Sequence, residues 1–594
     1  MSLTASLYIG QSALAASQLA LQVTGNNLAN AATPGYHRQR VDMTAVQGQQ
    51  VGPRQHAGRG VGVAEIRRII DPALQARVRD AAAAEGAAQV RQSILDQIES
   101  VTTASPGAEG SDVSGLMTRL FNSFSELANN PATPTARAAV VEQGAALAGQ
   151  LQDVRRQLIG QRDQADAQLG DAVRQADGLL DQIAALNGAI TTAEGGQGGL
   201  NGNGNLRDQR DRLLSDLGEL MDITVLDKGN GSVDVLVNST PLILGTTVRP
   251  IEFQLRSDGV AASAGGGELS AGVYAIDQNE KLTITGGRIG GLLAERTASI
   301  DRTVDDLDRL TTSLIFEVNR LHAQGRPSNV VRDTTGTLQT ATADQPRAFN
   351  DPNNSTILNN DFAKLALGPK NGSFQVRITD ANGNVSTTRI DIDLDGLTNA
   401  GVPGTSDDTS LSNLRTALDA IPNLSAQITP AGELRLSTDA GYDVSFADDS
   451  SGILAVLGVN GFFTGTSGED IAVRADLRND ASKLAIGSAP GKNETALAIA
   501  GLRTAKLNSL SGQTLQDLWA GATGRNAVGL QAANASIESL ATVRQSLESQ
   551  EAALSGVSTD EESINLITYQ QQYQGAAKFI NVVNEMTQVL LGLV

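Results

Sequence analysis

Catalytic or metal chemistry in this chain would have to come from very few side chains. There is no cysteine, so thiolate nucleophiles, Cys-ligated metals and disulfides are excluded. The histidines are His37, His56 and His322, too far apart in sequence to suggest a His-based metal or proton-transfer site. Asp391, Asp393, Asp395 and Gly396 imitate the start of a calcium loop, but Val402 stands at the twelfth position, where a bidentate Glu is needed. Alternating with Ile390, Ile392 and Leu394, these aspartates read as the wet face of a strand. The stretch from Gly487 to Lys492 hints at a phosphate loop. It fails because Ile486 replaces the first glycine and Asn493 the Ser or Thr. Gly58, Gly60 and Gly62 lead into a strand and do not join a strand to a helix, so a dinucleotide site is not expected. Arg38, Arg40, Arg54 and Arg59 read as a solvated loop or as contacts to an acidic neighbour. No nucleophile stands beside a base. The expectation is a protein that is not an enzyme and carries no cofactor and no metal.

The bulk properties agree. At 594 residues the chain is long enough for about four domains. Its 45 Lys and Arg against 65 Asp and Glu leave a net charge of −20, which argues against nucleic acid as a partner. Few aromatics and 62 glycines argue against a large pocket for a flat apolar ligand. No run approaches the ~20 apolar residues that cross a bilayer, so no membrane span is expected. Met1–Gly10 carries no Lys or Arg, and Ser17 and Gln18 break the apolar stretch Ala13–Ala16, so no cleaved secretory signal is expected either.

The two ends are alike in lacking charge. Met1 to His37 contains no Asp, Glu, Lys or Arg, and Ser563 to Val594 contains only Lys578 and Glu585. Both read as helices. Leu7, Leu14, Leu21 and Leu28 recur every seven residues in front, with the small Ala13, Ala16 and Ala20 on a neighbouring stripe. Behind, Leu566, Tyr569, Tyr573, Ala576, Ile580, Val583, Thr587, Leu590 and Val594 follow 3,4 spacing, and a second stripe runs through Phe579, Val582, Met586, Val589 and Leu593. The tyrosines at this spacing read as packing residues. One stripe makes a seam; two make a helix that must bury more than one face. The missing charges point the same way, since a solvated helix face usually carries ion pairs. The terminal helices are therefore expected to pair as a coiled coil and to pack against other subunits.

Between the ends the fold class is α+β and multidomain, with a long-helix bundle and inserted β-rich modules. Turn-rich residues 33–62 precede a strand, Val61 to Ile70, and Asp71-Pro72 caps a helix to about Ser100. Further helices are expected over Val113 to Asn129, from Thr133 to about Ile190, over Leu206 to Met221, and from Ile289 to Leu321. Gly195 to Asn205 reads as a flexible break. Period-two patterning marks a small β-module at 222–288 and an outer one at 340–480 with a short helix near Ser410 to Ala420. Residues 326–480 hold 11 Lys and Arg against 20 Asp and Glu, so this outer region is acidic. The expected division is a terminal coiled coil (1–35 with 560–594), a bundle (36–221 with 289–325 and 490–559) and the two modules. This nested order brings the termini to one pole of a rod.

Two terminal motifs and two internal stretches carry a family resemblance. Asn26-Asn-Leu-Ala-Asn30-Ala-Ala-Thr33-Pro34-Gly35-Tyr36, followed by Arg38 and Gln39, resembles the N-terminal signature of bacterial flagellar rod, hook and hook-associated proteins. Ser555 to Glu562 with Asn565 to Gln574 is similar to the C-terminal motif of the hook-associated branch, except that Ser558 and Thr559 stand where Asn and Leu are usual. Leu206 to Leu213 and Leu457 to Gly465 resemble the same family. The resemblance implies a structural adaptor at the hook–filament junction, located outside the cell after export through the type III apparatus. It implies neighbours of three kinds besides copies of itself: hook protein, a second hook–filament junction protein and an export chaperone held by Phe579, Val582, Met586, Val589 and Leu593. The assembly interface would comprise Leu7, Leu14, Leu21, Leu28, Asn30, Thr33, Pro34, Gly35, Tyr36, Leu566, Tyr569, Tyr573, Ile580, Val583 and Leu590. A hook or filament subunit of the same class, or a secreted surface adhesin, are the alternatives.

Overall fold

The computed structural model describes residues 3–52, 55–103, 110–195, 203–256, 269–327, 331–489 and 491–592, with the side chains of 49–57 also outside the description. Arg54, the side chain of His56, most of the expected break at 195–205, and Leu593 and Val594 thus lie outside the described residues.

Among the described residues, eight long helices form the frame: α1 (Leu3–Ala29), α2 (Pro72–Thr102), α3 (Val113–Asn129), α4 (Pro134–Gly195), α5 (Gly204–Leu220), α6 (Arg302–His322), α7 (Leu515–Ser555) and α8 (Thr559–Leu591). Local chemistry sets their ends. Asp71 caps α2 by accepting from the amides of Ala73 and Leu74, with Pro72 at the first helical position. Thr514 and Asp517 form a reciprocal capping box on α7. α4 is continuous over 62 residues, about 93 Å at 1.5 Å per residue. It buries Val140, Leu147, Leu151, Val154, Leu158, Leu169, Val173, Leu180 and Ile183 along one stripe. The helix expected from Ile289 to Leu321 is interrupted: Gly287–Glu295 is helical, Arg296–Asp301 is a π-turn, and α6 follows.

The β-modules are antiparallel insertions. A four-stranded sheet covers 224–248 and a three-stranded sheet 251–281. In the outer module Gly372–Thr379 pairs with Val385–Ile392 and Asp443–Ala447, while Leu434–Thr438 pairs with Asp333–Thr335 and Leu424–Ile428. Phe374, Val376, Ile378, Ile390, Ile392, Leu434, Leu436, Val444 and Phe446 are all buried. The helix Leu411–Asp419 starts on the Ser410 cap.

One buried knot joins the outer module back to α6. Asn319 accepts through Oδ1 from the amides of Phe462 and Phe463, both at 2.8 Å. Asn460, at φ +50°, donates to the carbonyls of Ala323 and Gly325, each at 3.1 Å. His322 sits fully buried between the Asn460 carbonyl at 2.8 Å and the Ala485 amide at 3.0 Å. The amide must donate to Nε2, so the neutral ring carries its proton on Nδ1. Burial pushes the His322 pKa down to about 4. The unfolded chain takes up a proton near pH 6.5 that the folded chain refuses, so stability falls as pH drops from about 6.5 to 4. Urea unfolding of the bundle is expected to lose about 3 kcal/mol over this interval, and His322→Gln to flatten that dependence.

Candidate functional site: the paired terminal helices

α1 and α8 run antiparallel. Asn27 meets Glu562 at one end of the pair, and Gly10 faces Phe579 and Ile580 at the other, 17 residues or about 26 Å away along α1. The buried stripe of α1 is Gly10, Ala16, Ser17, Ala20, Val23, Thr24 and Asn27. These are small residues, and they let the two backbones come close. A Cβ on Gly10 would lie 2.6 Å from Ile580 Cγ1, so this position has no room for a side chain. The hairpin of Gln39–Ala45 and Val61–Arg68 closes the unit. Ala20, Val23 and Val41 form its small core, joined by Leu19, Val63, Ile66 and Tyr569, and this core is separate from the main one. By packing, the hairpin therefore belongs with the termini and not with the bundle.

Within one chain the leucine heptad flanks this seam: Leu7, Leu14 and Leu21 are half-buried beside it and Leu28 is exposed. On α8 only Glu562, Ala576 and Val583 are fully buried, with Leu566, Tyr569 and Ile580 half-buried against α1 and Tyr573 and Leu590 exposed. The second stripe is bare, with Phe579 44%, Val582 53%, Met586 54% and Val589 64% exposed.

The turn motif is a polar lock. The peptide ends α1 at Asn30, whose amide side chain donates to the Asn26 carbonyl at 2.9 Å, while Thr33 Oγ1 lies 3.3 Å from Asn30 Oδ1. Pro34 and Gly35 then reverse the chain; Gly35 has φ +70° and backs onto the Arg212 side chain, so a Cβ there would be both strained and crowded. Thr33, Pro34 and Gly35 are exposed. Buried Asn27 is satisfied on every side. Its Oδ1 accepts from Tyr36 Oη at 2.8 Å and the Gln39 amide at 3.0 Å, and its Nδ2 donates to the Gln39 carbonyl at 2.8 Å and Glu562 Oε2 at 3.0 Å. Arg38 donates to Glu562 at 2.8 Å and to Glu561 at 2.8 Å. Burial, with Asp208 and Glu562 nearby, raises the Tyr36 hydroxyl to about 12, so it stays a donor.

The same turn docks the unit on the bundle through charge. His37 Nδ1 lies 2.7 Å from Asp208 on α5, and Arg68 donates to Asp208 and Asp211, each at 2.7 Å. His37, Asp208 and Asp211 are close enough to hold a metal, but the Arg68 guanidinium already occupies that position. Burial would lower the His37 pKa, but hydrogen bonds to Asp208 and Glu551 overcome it and raise it to about 9. Since the unfolded value is near 6.5, the stability this cation adds is complete below about pH 6.5 and is lost as pH rises through 9. Hydrogen exchange of the hairpin amides is expected to show a loss on the order of 2 kcal/mol over that window, allowing for screening near the surface, and His37→Gln to abolish it.

The quoted motifs contain Asn27, Asp208 and Glu562, but only Asn30, Thr33, Pro34, Gly35 and Tyr36 among the turn residues are expected at the interface; that Asn27, His37, Asp208 and Glu562 hold the unit together is shown by the fold. Arg38 does meet an acidic neighbour; Arg59 is exposed, and Arg40 approaches only Asp42, at 3.8 Å.

Comparison with known proteins fits this geometry. Residues 7–37 match the family described as flagella basal body rod protein, and residues 550–593 match the flagellar basal body rod FlgEFG protein C-terminal family. A helical pair poor in charge, locked by the Asn-rich turn, therefore defines an axial protein of the bacterial flagellum. Residues 89–337 match the flagellar hook-associated protein FlgK helical domain. The chain is similar to flagellar hook-associated protein 1 of Escherichia coli, at 25% identity over 98% of both chains, and of Salmonella typhimurium, at 26% over 98% of both. A solved FlgK hook junction protein from Burkholderia pseudomallei aligns at 18% identity and a TM-score of 0.46, covering 81% of this chain and all of that one. The chain thus carries the FlgK helical domain and is similar along 98% of its length to flagellar hook-associated protein 1.

Proposed function

We propose that this protein is a non-enzymatic adaptor joining hook to filament, and that it assembles through its terminal helices after export through the type III apparatus. The observation that carries this reading is the bare apolar stripe of α8, from Phe579 to Val589, lying beside a seam that is already closed. A row of large apolar side chains left in water on a folded monomer marks a surface that other chains cover. In the tube, copies of this chain take that role, with Leu7, Leu14, Leu21 and Leu28 of a neighbour as matching knobs. Before assembly, an export chaperone covers Phe579, Val582, Met586 and Val589 together with Leu593. Hook protein and a second junction protein are the neighbours along the tube axis, and the β-modules face outward. No helix among the described residues is long and apolar enough to cross a membrane.

Deleting residues 1–35 or 560–594 is expected to leave a folded, monomeric bundle that cannot restore filament attachment to a strain lacking the native protein. Restored attachment by either truncation would overturn the reading, because each removes one partner of the seam.

A further inference from the structure

The aspartates set aside as the wet face of a strand are placed differently by the fold. Strand Val385–Ile392 ends before Asp393, and only Asp391 lies on it, exposed and paired with Arg389 at 2.6 Å. Asp393 and Asp395 lie in the loop beyond, which returns through Asp407 and Asp408 to the Ser410 helix cap. Each of Asp393, Asp395 and Asp408 brings a carboxylate oxygen within 4.8 Å of the other two. No ion pair among the described residues involves any of the three; the nearest in sequence join Arg389 to Asp391 and Arg415 to Asp419.

A second observation comes from Asp408 itself, which is 2% exposed. Its Oδ2 accepts from Asn350 Nδ2 at 2.6 Å and from the Gly396 amide at 3.2 Å. Its Oδ1 is closed off from solvent and has no hydrogen-bond partner. Asp407 repeats the pattern: Oδ2 accepts from the Asn399 amide at 2.5 Å, and Oδ1 is buried and unpartnered. A carboxylate oxygen sealed from water with nothing to accept from is costly, and two further carboxylates beside it add repulsion. Both costs disappear if a cation sits among them.

We propose that Asp393, Asp395 and Asp408 hold a calcium ion in the acidic outer module. The donors are all hard oxygens, with no nitrogen or sulfur in the cluster, which excludes a zinc- or copper-type site. They come from a loop with irregular spacing. Calcium tolerates such geometry, taking six to eight oxygens at about 2.3–2.6 Å, whereas magnesium demands a near-octahedral cage.

The test is calorimetric titration of the metal-free full-length chain with CaCl2 and, in parallel, MgCl2, together with thermal unfolding. One calcium per chain is expected, with a Kd of about 0.1–1 mM or tighter and a rise in the outer module's Tm. Asp395→Asn removes an exposed ligand and should still fold; its calcium affinity is expected to fall at least about tenfold. Asp391→Asn should bind as the parent does. Asp408→Asn should unfold at a higher temperature than the parent without metal and gain nothing from calcium. Absence of saturable calcium binding overturns the proposal. So does unchanged affinity in Asp395→Asn, and so does an equal response to magnesium, which would reflect screening of an acidic surface.

Discussion

Val582→Ser with Met586→Ser is expected to abolish incorporation into the flagellum while leaving the monomer's circular dichroism and unfolding curve unchanged. Both side chains are more than half exposed on α8, and neither belongs to the buried set of the seam, so the folded chain loses little when they are shortened. The assembled state loses much more. Each would be fully covered there, and burial of such side chains contributes about 1.5–3 kcal/mol apiece. The loss recurs at every copy, so a few kcal/mol per subunit is enough to prevent assembly. Motility and sedimentation of the purified variant are the two measurements needed. A swimming strain would show that the exposed stripe is not an assembly surface, and an unfolded monomer would show that the stripe supports the fold.

Glu562→Ala is expected to loosen the terminal unit by about 3 kcal/mol, because Asn27 Nδ2 and Arg38 Nε lose the acceptor they converge on in a buried place. Hydrogen exchange should show fast amides throughout α1 and the N-terminal half of α8, with α2 to α7 unaffected, since the terminal core and the main core are separate clusters. Glu562→Gln should recover part of the loss by still accepting from Asn27. Uniform destabilisation of the whole chain would contradict the separation of the two cores.

The elements were more legible than the contacts. Uncharged ends at 3,4 spacing announce α1 and α8, and alternating Phe374, Val376 and Ile378 announce a strand, because each pattern reports one face of one element. Which stripe of α1 closes the seam within the chain is less legible: two helices meeting backbone to backbone use the small residues, such as Ala16 and Ala20 of the neighbouring stripe, and Gly10 carries no hydrophobic signal of its own. The motifs mark the lock residues but not their pairing, because Asn27 reaches Glu562 across 535 residues and His37 reaches Asp208 across 171. Polar partners at such distances leave no periodicity. The π-turn at Arg296–Asp301 was hidden likewise, since helical spacing persists on both sides of it.

The pairing of the first helix with the last has an outcome for synthesis and delivery. Every contact in that seam needs a residue before 30 and another after 558, so a polypeptide truncated before its last helix cannot make it. The central body can settle earlier, but the adhesive face is completed last. Under the proposed assembly, unfinished copies thereby lack the surface by which they would join a growing polymer, without any separate inspection step.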